Sequence, residues 1–119
     1  MAYVFVFGSN LAGRHGRGDA LYAKQHYRAE YGVGEGRTGD AYAIPTKDYN
    51  LGVISFDRIQ LYVSDFVEYA RNNPNDTFIL TPIGAGLAGY SRSEIFKLIR
   101  NCNPIPSNIV FTRQWFGLQ

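Results

Sequence analysis

Three short apolar runs, Tyr3–Phe7, Ala41–Ile44 and Thr77–Leu80, each stop at a loop whose residues break regular structure. The first runs into Gly8-Ser9-Asn10 and a glycine-rich stretch ending at Gly18. The second is stopped by Pro45 and followed by Thr46–Asn50, and the third passes through Pro82 into Gly84–Gly89. Continuous β-rich runs of this length, closed by such signals, read as strands buried on both faces. Helical patterns fill the intervals. Ala20, Ala23 and Tyr27 share one helical face in a segment that starts at Asp19 and is expected to end near Tyr31-Gly32. Ile59, Tyr62, Val63, Phe66, Val67 and Ala70 recur at helical spacing behind Ser55, a suitable N-cap. Ser91 and Glu94 have capping-box spacing and open a third helix, and Asn108–Phe111 closes the series as a fourth strand. Gly32–Gly39 reads as a second glycine-rich loop. Strands that alternate with helices in this way predict an α/β fold with three α/β/α layers around a mostly parallel sheet of about four strands.

The chain has 119 residues, enough for one domain, residues 1–119, with a core that needs no covalent staples. Its single cysteine, Cys102, excludes an intrachain disulfide framework and any multi-cysteine zinc site. Twelve Lys and Arg against ten Asp and Glu leave a net charge of +2, too weak a field for nonspecific duplex binding. The opening apolar run has no basic flank and is far shorter than a membrane span or signal sequence. A soluble, cytoplasmic protein with no membrane partner is the expectation.

Eight of the thirteen glycines fall between Gly8 and Gly39. A loop without Cβ atoms exposes its amides, and where it feeds a helix N-terminus it suits an anion. Gly13-Arg14-His15-Gly16-Arg17-Gly18 is such a loop, with two guanidinium groups available to phosphate. It has the glycine spacing of a P-loop, but Asp19-Ala20 follow where Lys and Ser or Thr would be needed. Gly34–Gly39 matches GxGxxG, yet it lies after a helix and before a strand, the reverse of a dinucleotide-binding turn. Lys47 stands just past a strand end, where an ammonium can meet a bound ligand, and His15 is a candidate proton carrier. No Ser-His-Asp arrangement and no metal-ligand spacing is present, so neither a metal nor a cofactor is expected.

Taken in order, Gly8-Ser9-Asn10 with Arg14–Ala20, then Ile44-Pro45-Thr46-Lys47, then Pro82–Gly89, resemble the macrodomain family of ADP-ribose-binding modules. The likeness is greatest to the branch that holds the terminal ADP-ribose protein glycohydrolase and the antitoxin that removes ADP-ribose from DNA, and to small phage and bacterial proteins of similar layout. It runs from Tyr3 to about Arg100. The resemblance implies a minimal, truncated macrodomain with strand order 4-1-3-2. It implies a ligand held by Gly8, Ser9, Asn10, Arg14, Gly16, Arg17, Gly18, Thr46, Ile83, Gly84, Ala85, Gly86 and Leu87. The diphosphate would lie on the amides of Gly16–Gly18 and Gly84–Gly86, with Asn10 on a ribose hydroxyl.

The family's lysine after a Thr matches Lys47 after Thr46, which implies action near the anomeric carbon, assisted by Asp48 or His15. Such a lysine must be partly neutral. Where the protein-directed glycohydrolase has an Asp in the third loop, this chain has Ala88. Typical macrodomains also carry earlier strands with an Asp that reads adenine, for which this sequence has no counterpart. The resemblance therefore implies ADP-ribose or an ADP-ribosylated substrate as partner and hydrolysis of an ADP-ribosyl linkage as activity. The alternatives are a phosphatase acting on ADP-ribose 1''-phosphate, a noncatalytic sponge for such a nucleotide, and a plain interaction protein whose glycine loops are only turns.

Overall fold

The computed structural model describes residues 1–85 and 88–117. Along the chain the elements are β1 (Tyr3–Asn10), α1 (Gly18–His26), β2 (Gly36–Thr38), β3 (Ala41–Lys47), α2 (Phe56–Arg71), β4 (Thr77–Leu80), α3 (Arg92–Arg100), β5 (Ile109–Phe111) and a 3-10 turn (Arg113–Phe116). Four parallel strands and one antiparallel edge strand form a single sheet in the order β2-β3-β1-β4-β5.

Two expectations are corrected here. Among the four strands read from the sequence, the order is 2-1-3-4 rather than 4-1-3-2, so the first strand lies between the second and the third. The fifth strand, β2, lies within the segment read as a glycine loop. It pairs antiparallel with β3, Gly36 opposite Ala43 and Thr38 opposite Ala41, across the two-residue turn Gly39-Asp40. Helix α1 is also shorter than expected. It stops at His26 because Tyr27 leaves the helix to stack on Phe5, ring centroids 4.9 Å apart, and Arg28 takes a left-handed conformation at φ 58°.

The sheet is buried on both faces, and the alternation along β1 divides the core. Val4 and Val6 join Tyr42, Ile44, Phe78 and Leu80 under α2 and α3. Phe5 and Phe7 join Ala41 and Ala43 under α1 and Ala29. Helix α2 packs Ile59, Val63, Phe66, Val67 and Ala70 against the first face, and Ser55 accepts from the Arg58 amide at its start. Each fully buried aliphatic or Phe side chain contributes about 1.5–3 kcal/mol through lost contact with water.

This arrangement fixes where a ligand can go. From β1 the chain crosses through α1 on one face to reach β3, whereas β4 is followed by α3 on the other face. The loops after β1 and β4 therefore leave adjacent strands toward opposite faces. A crevice opens between them at the carboxyl ends of the strands, the place where open α/β sheets take ligands.

Candidate functional site

The crevice is a cavity of about 670 Å³, lined by the ends of β1, β3 and β4 and the start of α1. Its size falls within the range of small-molecule sites. The floor is set by Gly8. A Cβ there would stand 3.1 Å from the Gly84 amide nitrogen and 3.4 Å from Ile83 Cα, so the first and third loops touch where Gly8 has no side chain.

The first loop is held by its own polar groups and by a glycine-rich backing. Asn10 donates from Nδ2 to the Arg14 carbonyl at 3.1 Å and accepts the Arg14 amide at Oδ1 at 3.0 Å. Ser9 Oγ donates to the carbonyl of Gly34. A Cβ on Gly34 would lie 2.2 Å from the Asn10 carbonyl oxygen, so Gly32–Gly34 supports the first loop from behind at a distance no other residue allows. His15 points into that support. Its ring is 1% exposed, lies edge-on to Phe7 at 5.3 Å, and donates from Nε2 to the Val33 carbonyl at 3.1 Å. Among the described residues Nδ1 has no partner, and burial, aided by Lys24, lowers the His15 pKa against the opposing pull of the Val33 carbonyl.

The second wall comes from β3. Ser9 pairs with Pro45 but Asn10 pairs with Lys47, so Thr46 is an extra residue, a bulge at the strand end that re-aims the side chain after it. Lys47 then faces the cavity. Its carbonyl accepts the Leu11 amide at 2.9 Å, tying the second loop to the first. Beyond it the chain turns back tightly through Leu51, and Asp48 holds this turn by accepting the amides of Asn50 and Gly52, both at 2.8 Å.

The structure thus brings together Gly8, Ser9, Asn10, Arg14, Gly16, Arg17, Gly18, Thr46, Lys47, Ile83 and Gly84 around one cavity. It does not bring Asp48, His15 or Ala85 to the lining: the first two are committed to backbone groups elsewhere. Gly86 and Leu87 lie outside the described residues. Asn10 reaches the lining, with each end of its amide already holding the Arg14 backbone. Asp19, Ala20, Leu51, Pro82 and Ala88 also line the cavity, although none of them was among the ligand-binding residues expected from the sequence. Asp19 was legible in principle as a charged residue in the first turn of a helix that follows a glycine loop. Among the described residues no group of three or more His, Cys, Asp or Glu side chains comes together as a metal site requires, and no helix is long and apolar enough to cross a membrane.

No family model and no curated protein matches the sequence significantly. The fold, however, is similar to solved structures. The macrodomain of Mycobacterium tuberculosis DarG superposes with a TM-score of 0.68 at 18% identity, covering 91% of this chain and 86% of that one. A protein of unknown function from Bacteroides thetaiotaomicron superposes at a TM-score of 0.65 and 16% identity, over 93% of this chain and 85% of that one. A second protein from the same organism gives 0.60 and 17%, over 93% and 87%. The architecture is thus similar to that of a macrodomain.

Proposed function

We propose that the cavity binds ADP-ribose or an ADP-ribose derivative and that Lys47 takes part in hydrolysing an ADP-ribosyl linkage. The observation that carries this reading is the convergence of the first and third glycine loops, in contact at Gly8 and Gly84, on one cavity that also receives Arg14, Arg17 and Lys47. Backbone amides of a loop opening a helix, with guanidinium groups beside them, suit a diphosphate. Lys47, at the end of β3, lines the same cavity, and in this reading it meets the ribose attached to the diphosphate. The macrodomain fold of the similar structures supports an ADP-ribose-type ligand.

In this reading Gly16–Gly18 and Gly84 donate to the phosphates, Arg14 and Arg17 neutralise them, and Lys47 acts at the anomeric carbon. A noncatalytic binder is the second reading. It is favoured by the commitment of Asp48 and His15 to backbone groups, and by Ala88, which brings no carboxylate to the third loop. Titration calorimetry with ADP-ribose tests binding, and release of ADP-ribose from an ADP-ribosylated oligonucleotide or peptide tests turnover. Lys47→Ala is expected to lower turnover by about a hundredfold or more while ADP-ribose affinity falls by less than about tenfold. A wild-type protein that binds but turns over neither substrate supports the second reading, and one that does not bind ADP-ribose refutes both.

A further inference from the structure

The hydrogen-bonding inventory of the cavity is one-sided. Arg14, Arg17 and Lys47 are donors only, as are the glycine-loop amides. Asn10 Oδ1 is occupied by the Arg14 amide, and the hydroxyls of Ser9 and Thr46 are directed at the carbonyls of Gly34 and Ser9. One lining group is a pure acceptor: the carboxylate of Asp19, half-buried in the first turn of α1. Among the described residues it forms no ion pair, although three cations line the same cavity.

The hydroxyl of Thr81 neighbours Asp19 and donates to the Val6 carbonyl at 2.7 Å. Burial raises the Asp19 pKa, and the Thr81 hydroxyl offsets this only in part. A carboxylate so placed disfavours a bare anion, because it adds repulsion where the ligand's charge must lie. It favours a ligand that brings hydroxyl donors along with its phosphates.

We propose that Asp19 is a specificity-determining residue that accepts a hydrogen bond from a ribose hydroxyl, and that it selects sugar-bearing diphosphates over diphosphate alone. The proposal rests on the ADP-ribose reading of this cavity. It assigns to Asp19 the ribose contact expected of Asn10, whose amide instead fastens the first loop.

The test is calorimetry of wild type, Asp19→Asn and Asp19→Ser, titrated separately with ADP-ribose and with inorganic pyrophosphate. Melting curves identify the variants that fold. Asp19→Ser keeps an oxygen at the helix start and carries the same expectation as Asp19→Asn. Loss of a charge-assisted hydrogen bond weakens ADP-ribose by about tenfold or more, while pyrophosphate binding holds or tightens as the repulsion is removed. A variant whose ADP-ribose affinity stays within about twofold of wild type, or that loses affinity for both ligands in parallel, overturns the assignment. Wild type that binds pyrophosphate but not ADP-ribose also overturns it. Wild type that binds neither ligand refutes the nucleotide reading itself.

Discussion

At the scale of single residues, the glycines of the site divide into those that let backbone approach backbone and those that leave room. Gly34 belongs to the first kind: its Cβ would sit 2.2 Å from the Asn10 carbonyl oxygen, a clash with backbone that no rotamer relieves. Gly16 is the second kind, since a Cβ there meets nothing within 4 Å, yet the residue lines the cavity. Gly34→Ala is expected to cost about 3 kcal/mol or more, seen as a large fall in melting temperature. Gly16→Ala should leave the melting temperature unchanged or slightly raised, because it removes freedom from the unfolded chain, while weakening ADP-ribose by about tenfold in calorimetry. A loss of stability in Gly16→Ala would contradict the open space described around it. The residue scale is also where reading from sequence fell short. His15 and Asp48 are polar residues in loops of the right chemistry, but Val33 holds one and the amides of Asn50 and Gly52 are held by the other. Sequence spacing reports which groups are near one another along the chain, not which backbone group each satisfies.

Elements were more legible than their arrangement. The periodicity from Ile59 to Ala70 and the Ser91–Glu94 spacing specify α2 and α3 with their caps because helical contacts are local. Glu94 accepts the Ser91 amide at 2.9 Å while Ser91 Oγ accepts the Glu94 amide at 3.1 Å, and the backbone and side chain of Ser91 beside the carboxylate lower the Glu94 pKa. Ser91→Ala is therefore expected to destabilise the protein by about 1 kcal/mol, a fall of roughly 3–6 °C in Tm by calorimetric scan. An unchanged Tm would mean that α3 is held by packing alone. Strand β2 escaped because Gly36-Arg37-Thr38 has no apolar alternation. Its one local signal was the Gly-Asp pair that turns the chain back into β3. Strand order escaped for a different reason. Apolar runs buried on both faces identify central strands, but β3, β1 and β4 are all central, and the patterns of their side chains do not say which neighbours which.

For the whole molecule, His15 connects the site to the pH dependence of folding. Among the described residues its Nδ1 has no partner, and burial lowers its folded pKa, so the unfolded chain binds the proton more readily. Stability from this source is complete above the ordinary histidine value of about 6.5 and is lost as pH falls toward the lowered folded value, at up to about 1.4 kcal/mol per pH unit. Chemical denaturation between pH 7.5 and 5 should show that decline, and His15→Phe should flatten it. An equal slope in the variant would assign the acid sensitivity to other groups. The pairing of the sheet has a consequence for synthesis. Tyr3 lies beside Thr77 and Gly8 beside Ile44, so the walls of the cavity are contributed by stretches as far apart as Gly8 and Ala88. A nascent chain that has not yet delivered Ala88 from the ribosome owns the first glycine loop but not the facing wall, so the cavity is enclosed only once the stretch after β4 has emerged.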